Sequence, residues 1–162
     1  VRYYVDTEFN GNGGQLLSVG IVRQDGEQFY QELHVHELPQ PWIKKNVVPV
    51  MLGRPVSRAA CSFGLQQFLL RDRGPHTFVV DWPEDAVHLG NLMVTDHGTR
   101  MPPRRWRCVL LELPGFHTAD HSKRPHNALD DAVALRNYVE RGIAEGMDGE
   151  LTDGDLAFLR GT

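Results

Sequence analysis

Apolar and polar residues alternate over the first third of the chain in a way that predicts strands. Arg2 to Asp6, rich in Tyr and Val, is the first, with Glu8 just past its apolar part. Asn10-Gly11-Asn12-Gly13-Gly14 predicts a turn, because Gly and Asn tolerate positive φ. Gln15 to Arg23 is a second strand, carrying Leu16, Leu17, Val19, Ile21 and Val22, and Gln24-Asp25-Gly26-Glu27 is a second hairpin turn. Gln28 to Val35 is a third strand, so the chain opens as a three-stranded antiparallel meander.

The period then lengthens. Pro39 to Pro49 is a short helical stretch ended by proline, and Ser57 caps a helix from Arg58 to about Arg73. His76 to Val80 is a short continuous apolar run suited to a buried parallel strand. Asp81-Trp82-Pro83-Glu84 reads as a capping box, with Asp81 as the cap of the next helix. Trp106 to Leu113 is a fifth strand, Gly115 to Pro125 a polar loop, and Asn127 to Gly142 a long helix with one broad apolar face. Thr152 caps a short terminal helix. The expected fold is α/β: a mixed sheet, antiparallel over its first three strands and parallel beyond, flanked by helices.

At 162 residues the chain fits a single domain spanning 1–162. Composition, 41% hydrophobic and 23% charged, is that of a soluble globular protein, and no run is long enough to cross a membrane. The N-terminus lacks a signal-peptide layout. Two cysteines in unrelated contexts, Cys61 and Cys108, argue against a disulfide framework or a Cys-rich zinc site and make a reducing cytoplasm the default. The net charge of -4 argues against coating nucleic acid through bulk charge. Basic residues cluster locally at Lys44 and Lys45, at Arg100, Arg104, Arg105 and Arg107, and at Lys123 and Arg124.

The candidate chemistry lies in three acidic stations and a histidine. Asp6 and Glu8 alternate on a strand and so share a face, with Thr7 opposite. Asp81 and Asp85 follow the fourth strand. His126 and Asp131 are five apart, nearly one and a half helical turns, so His126 stands before the last helix or at its first residue. Carboxylates from separate elements that converge make a hard oxygen site of the kind Mg²⁺ and Mn²⁺ prefer.

In this order and on these elements, Asp6-Thr7-Glu8, Asp85 and His126-x₄-Asp131 resemble the three motifs of the DEDDh 3′–5′ exonucleases, a family with the ribonuclease-H-like fold. The resemblance runs from residue 2 to about 142. It implies that Asp6, Glu8, Asp85 and Asp131 hold two Mg²⁺ or Mn²⁺ ions about 4 Å apart, Asp6 bridging them. It implies that His126 takes a proton from the attacking water and that nucleoside 5′-monophosphates leave from a 3′ end. Asp85 is preferred to Asp81 as the mid-chain ligand because Asp81 has the cap to fill. His121 and a zinc site at His117, Asp120 and His121 are the weaker alternatives; His34 and His36 read as surface.

Single-stranded nucleic acid is the implied partner, with RNA favoured and DNA open. Thr7, Phe9 and Trp82 are the candidate substrate contacts: Phe9 stacks on bases or joins the core, and Trp82 is a stacking platform or a lid on the core. Arg104, Arg105 and Arg107 grip phosphates or protect an edge strand. Within the family, Arg-Tyr-Tyr-Val-Asp-Thr-Glu-Phe and Met101-Pro102-Pro103 are most similar to the polyadenylate-specific RNase AS type, which acts as homodimers. The chain departs from that type between about Arg107 and Pro125, leaving base preference and a homodimer open. Rival readings are a proofreading-type DNA exonuclease, a noncatalytic nucleic-acid-binding domain on the same fold, and a metal-dependent phosphatase.

Overall fold

Period-two alternation along the first strand sorts the molecule into two cores, one on each face of its sheet. In a computed structural model, described at residues 1–95, 97–103, 105–113, 115–145 and 153–161, β1 (Arg2–Phe9) sends Tyr3 and Val5 to one face and Tyr4 to the other. β2 (Leu16–Arg23) and β3 (Gln28–Glu32) extend β1 as an antiparallel meander. On its other side β1 pairs in parallel with β4 (His76–Val80), which pairs in parallel with β5 (Trp106–Leu110). The order β3-β2-β1-β4-β5, with helices on both faces, is α/β and consistent with the ribonuclease-H-like fold.

Helices α1 (Pro41–Asn46), α2 (Arg58–Leu69), α3 (Pro83–Leu92), α4 (Thr118–His121), α5 (Ala128–Glu145) and α6 (Asp153–Arg160) complete the chain, with a 3-10 turn at Val48–Val50. Tyr3, Val5 and Phe78 pack under Leu65 and Leu69 of α2 and Leu89 of α3. Tyr4 and Val79 pack against Leu135 and Val139 of α5 and Leu159 of α6. Fully burying each such side chain contributes about 1.5–3 kcal/mol. Arg2 ties the second layer down: its guanidinium meets both oxygens of Glu140 at 3.0 Å, and Tyr4 Oη donates to the same carboxylate at 2.7 Å. A third, small core of Leu17, Ile43 and Val47 seats α1 beside the sheet. Among the described residues, no helix is long and apolar enough to cross a membrane.

The chain departs from its sequence pattern in four places. β3 stops at Glu32, whose buried carboxylate accepts N–H bonds from Leu52 (2.6 Å) and Gly53 (2.7 Å); beyond it Leu33 enters the core under α2 and Val35 packs on the small core of Leu17, Ile43 and Val47. β5 ends at Leu110, because Leu111 and Leu113 turn inward to the α5 core. α2 ends at Leu69, although Ser57 caps its start as expected, accepting from the Ala60 N–H at 3.2 Å. The expected polar loop contains α4. Thr152 and Arg104 lie outside the described residues.

Gly20 allows the closest approach between layers. It pairs with Asp6 across β1 and β2, and a Cβ there would collide with the Ala128 carbonyl and the Leu129 nitrogen where α5 begins. Gly20→Ala is expected to cost about 1–3 kcal/mol by overpacking. At about 2–4 °C per kcal/mol for a domain of this size, thermal unfolding will report it. An unchanged melting temperature would mean that α5 can back away from the sheet freely.

Candidate functional site

The acidic residues gather where β1 and β4 end and α3 and α5 begin. A register shift between Glu8, paired with Ser18, and Phe9, paired with Leu16, bends β1 just past its two acids, as bulges beside functional sites do. The turn that follows needs Gly11 and Gly13, at φ 75° and 69°. It is pinned to α3 by Glu84, whose Oε1 accepts the Gly13 N–H at 2.5 Å. On the far side, Asn127 Oδ1 accepts the Asp130 N–H (3.3 Å) to cap α5, while its Nδ2 donates to the Val50 carbonyl (2.8 Å). His126 stands two residues before α5 with φ 68°, and its N–H donates to Asp131 Oδ2 at 3.0 Å.

Two triads result. Candidate ligand atoms of Asp6, Asp81 and Asp85 lie within 4.8 Å of one another, and so do those of Glu8, His126 and Asp131. Asp6, Glu8, Asp85 and His126 line one cleft of about 770 Å³, walled by Phe9, Trp42 and Trp82. The residues read as site residues in the sequence are thus brought together from β1, α3 and the start of α5.

One assignment needs correction. Asp81 is not the cap of α3: that position is Trp82, with Pro83 at the helix start, and no side chain caps it. A proline there has no N–H to offer, and Asp81 instead accepts a bond from Thr118 Oγ1 at 3.3 Å and faces Asp6 and Asp85. Asp81 and Asp85 therefore stand together rather than dividing two tasks between them. Trp82 is 59% exposed, so it does not cover the core. Phe9 is half-buried at the cleft, its ring 5.1 Å from that of His88. Thr7 lines the cleft but commits both its hydroxyl (2.6 Å) and its N–H (2.9 Å) to Asp85 Oδ1.

The remaining candidates fall elsewhere. Asp130 pairs with Arg124. His121 lies flat on Phe116, 5.2 Å between rings, and forms no metal group with His117 and Asp120 among the described residues. His34 and His36 are exposed. Arg107 donates to Thr77 Oγ1 and covers the Phe158 ring at 4.2 Å; neither it nor Arg105 lines the cleft.

Burial and crowding govern the site's protonation. Burial, then the charges of Asp85, Glu8, Asp131 and Asp81, lifts Asp6 well above the usual carboxylate range. Burial with Asp131 and Asp85 nearby pushes Glu8 up to about 8. Burial lifts Asp85 to about 7 against the lowering pull of the Thr7 bonds, and Asp131 to about 6. Asp81 is raised by burial as well. Asp6 Oδ2, Asp85 Oδ2 and Asp131 Oδ1 are buried without a hydrogen-bond partner, a costly state that a bound cation would relieve. Asp85 and Asp131 each have one oxygen anchored by protein N–H or O–H and the other unpartnered, as ligands oriented by their surroundings would. The donor set is hard oxygen, with one imidazole, and fits Mg²⁺ or Mn²⁺.

Trp42 escaped the sequence reading. It sits on α1, 54% exposed, with its ring 4.9 Å from that of His126. The available signal was an aromatic one residue after Pro41 in a segment with too few apolar residues to need it for a core of its own.

Two curated relatives resemble the chain. Both are named 3′–5′ exoribonuclease and come from strains of Mycobacterium tuberculosis; each is 28% identical over 112 residues. The match covers 64% of this chain and 66% of each relative, just under two thirds of their length. No family model matches the chain.

The shifted carboxylates set a pH dependence. Their reference values are 3.8 and 4.5, and the folded values lie higher, up to about 8 for Glu8. Between those limits the folded state binds more protons than the unfolded one, so stability falls as pH rises. The metal-free protein is expected to melt lower at about pH 8.5 than at about pH 6, and Asp6→Asn to melt higher than wild type at the upper pH in chelator. Mn²⁺ should raise the wild-type melting temperature more than that of the variant. A flat pH profile in chelator would contradict the buried, crowded state of these groups.

Proposed function

We propose that the chain is a metal-dependent 3′–5′ exoribonuclease of the DEDDh type, degrading single-stranded RNA to nucleoside 5′-monophosphates. The observation that carries this reading is the gathering of acids from β1, the β4–α3 junction and α5 into two triads beside one open cleft, each aspartate of the DEDDh set with a buried, unpartnered oxygen. The names of the two mycobacterial relatives support RNA as substrate and a 3′ end as the point of attack. The RNase AS type is the nearest subfamily by its opening residues, which makes adenylate-rich tails the first substrate to try.

Asp6, Glu8, Asp85 and Asp131 would hold two Mg²⁺ or Mn²⁺ ions, with Asp81 beside Asp6 and Asp85 as a further oxygen donor. Bound there, the ions would polarise the scissile phosphodiester and stabilise charge on the leaving 3′-oxygen. His126, at the cleft with an imidazole that can accept a proton, takes that of the attacking water. Thr7 keeps Asp85 turned toward Asp6. Phe9 and Trp82 offer apolar faces for the terminal bases, whose stacking is tolerant of sequence. The free thiols of Cys61 and Cys108 suit a reducing cytoplasm.

A time course on 5′-labelled single-stranded RNA in Mg²⁺ or Mn²⁺ tests this. Wild type should give a ladder shortening from the 3′ end, abolished by chelator. Asp6→Ala and His126→Ala should each slow it by about 10²-fold or more, the scale set by loss of a metal ligand or general base. Faster cleavage of DNA of the same sequence would overturn the RNA claim, and an uncut band in every metal would overturn the nuclease.

A further inference from the structure

A general base needs a third group to hold it in line with its task, and a hydrogen-bonded carboxylate or carbonyl usually provides it. His126 has no such partner: among the described residues its backbone N–H bonds to Asp131, and its ring makes no hydrogen bond. The ring contact it does make is with Trp42, nearly perpendicular at 78° with centroids 4.9 Å apart, a favoured geometry for paired aromatic rings.

Trp42 is held where this contact requires it, although 54% of its surface is exposed. Ile43 and Val47 anchor its helix in the small core with Leu17. Gln40, just before α1, donates its N–H to Asn10 Oδ1 at 2.8 Å and its Nε2 to the Asn10 carbonyl at 3.2 Å, which fixes the segment to the turn after Glu8 and Phe9. Just beyond α1, Val50 accepts from Asn127, the neighbour of His126. The short helix is thus clamped at one end to the strand that carries Asp6 and Glu8, and at the other to the segment that carries His126.

We propose that Trp42 is the positioning residue of His126: its ring sets the imidazole's orientation toward the reacting water, in place of a hydrogen-bonded orienter. This rests on the exonuclease reading above. Trp42 touches no reacting atom in this role. Its effect passes through His126, and that separates it from a platform that merely stacks a base.

The test is a double-mutant cycle on single-stranded RNA, with melting temperature and its Mn²⁺-induced rise as controls for folding and ion binding. Trp42→Ala is expected to lower kcat by about tenfold to a hundredfold, within the 10²–10⁴ that general acid–base catalysis supplies, with KM little changed. Trp42→Phe should recover most of the rate. In a His126→Ala background, Trp42→Ala should add no further loss, because the group it positions is gone. In the wild type, the His126 ring protons should show an NMR ring-current shift that disappears in Trp42→Ala. A raised KM with unchanged kcat, or losses that add in the double variant, would overturn the positioning role while leaving the nuclease standing. A wild type that cleaves nothing, with the ring-current shift still present, would instead mark failure of the exonuclease reading, and the role would fall with it.

Discussion

Mutual repulsion among buried and half-buried carboxylates is the constraint around which this molecule is arranged. Five of them, Asp6, Glu8, Asp81, Asp85 and Asp131, crowd one end of the sheet, and burial leaves several oxygens without a hydrogen-bond partner. Nothing in such a cluster draws it together, so the scaffold must. Two cores hold β1 between α2 and α3 on one face and α5 on the other. Gly20 lets the start of α5 come down onto the strand next to Asp6. Thr7, the His126 N–H and Thr118 each take one carboxylate oxygen and thereby fix where the rest of the group points. These bonds lie beside the acids rather than between them, which is how a site can be rigid and still unfavourable.

What the sequence made legible follows from local periodicity. Asp6 and Glu8 two apart on a strand must share a face, and they do. His126 five before Asp131 cannot share a helical stripe with it; the chain places His126 in the left-handed region ahead of α5, where its N–H reaches the Asp131 carboxylate. The antiparallel meander and the parallel strands beyond it could be anticipated because two short glycine-containing turns favour a meander and short apolar runs after helices suit parallel strands. What was not legible depended on contacts between distant segments. Asp81 looked like a cap because Pro83 and Glu84 follow it, yet Glu84 is taken by Gly13, 71 residues away, and the cap position passed to Trp82. Trp42 had no local reason to matter, since its importance comes from meeting His126 across 84 residues of chain.

The short helix α1 illustrates how such distant contacts become structure. Six residues cannot form a stable helix alone, since nucleation is unfavourable and few hydrogen bonds repay it. Ile43 and Val47 give it a hydrophobic foot in Leu17, and side-chain bonds to Asn10 and from Asn127 fasten both ends. An element whose existence depends on the two segments it bridges reports their separation. Any shift of the turn after β1 against the start of α5 strains α1, so the cleft has a brace rather than a loose flap on this side.

On the proposed reading, the charge of the cleft bears on how an acidic protein would engage an anionic polymer. With a formal charge of -4 overall and five acids in the site, a strand approaching the protein alone would meet a repulsive field. Two divalent cations would bring four positive charges, enough to offset most of the ionised acids and reverse the local sign where a phosphate must sit. On the proposed reading, ions and RNA therefore bind with positive coupling, and by linkage the RNA tightens the ions as much as the ions tighten the RNA. No lysine or arginine lines the cleft among the described residues, so side-chain charge there does not take the place of the ions. On that reading, recognition of the phosphate is built into the same atoms that activate it, and the aromatic walls are left to deal with the bases.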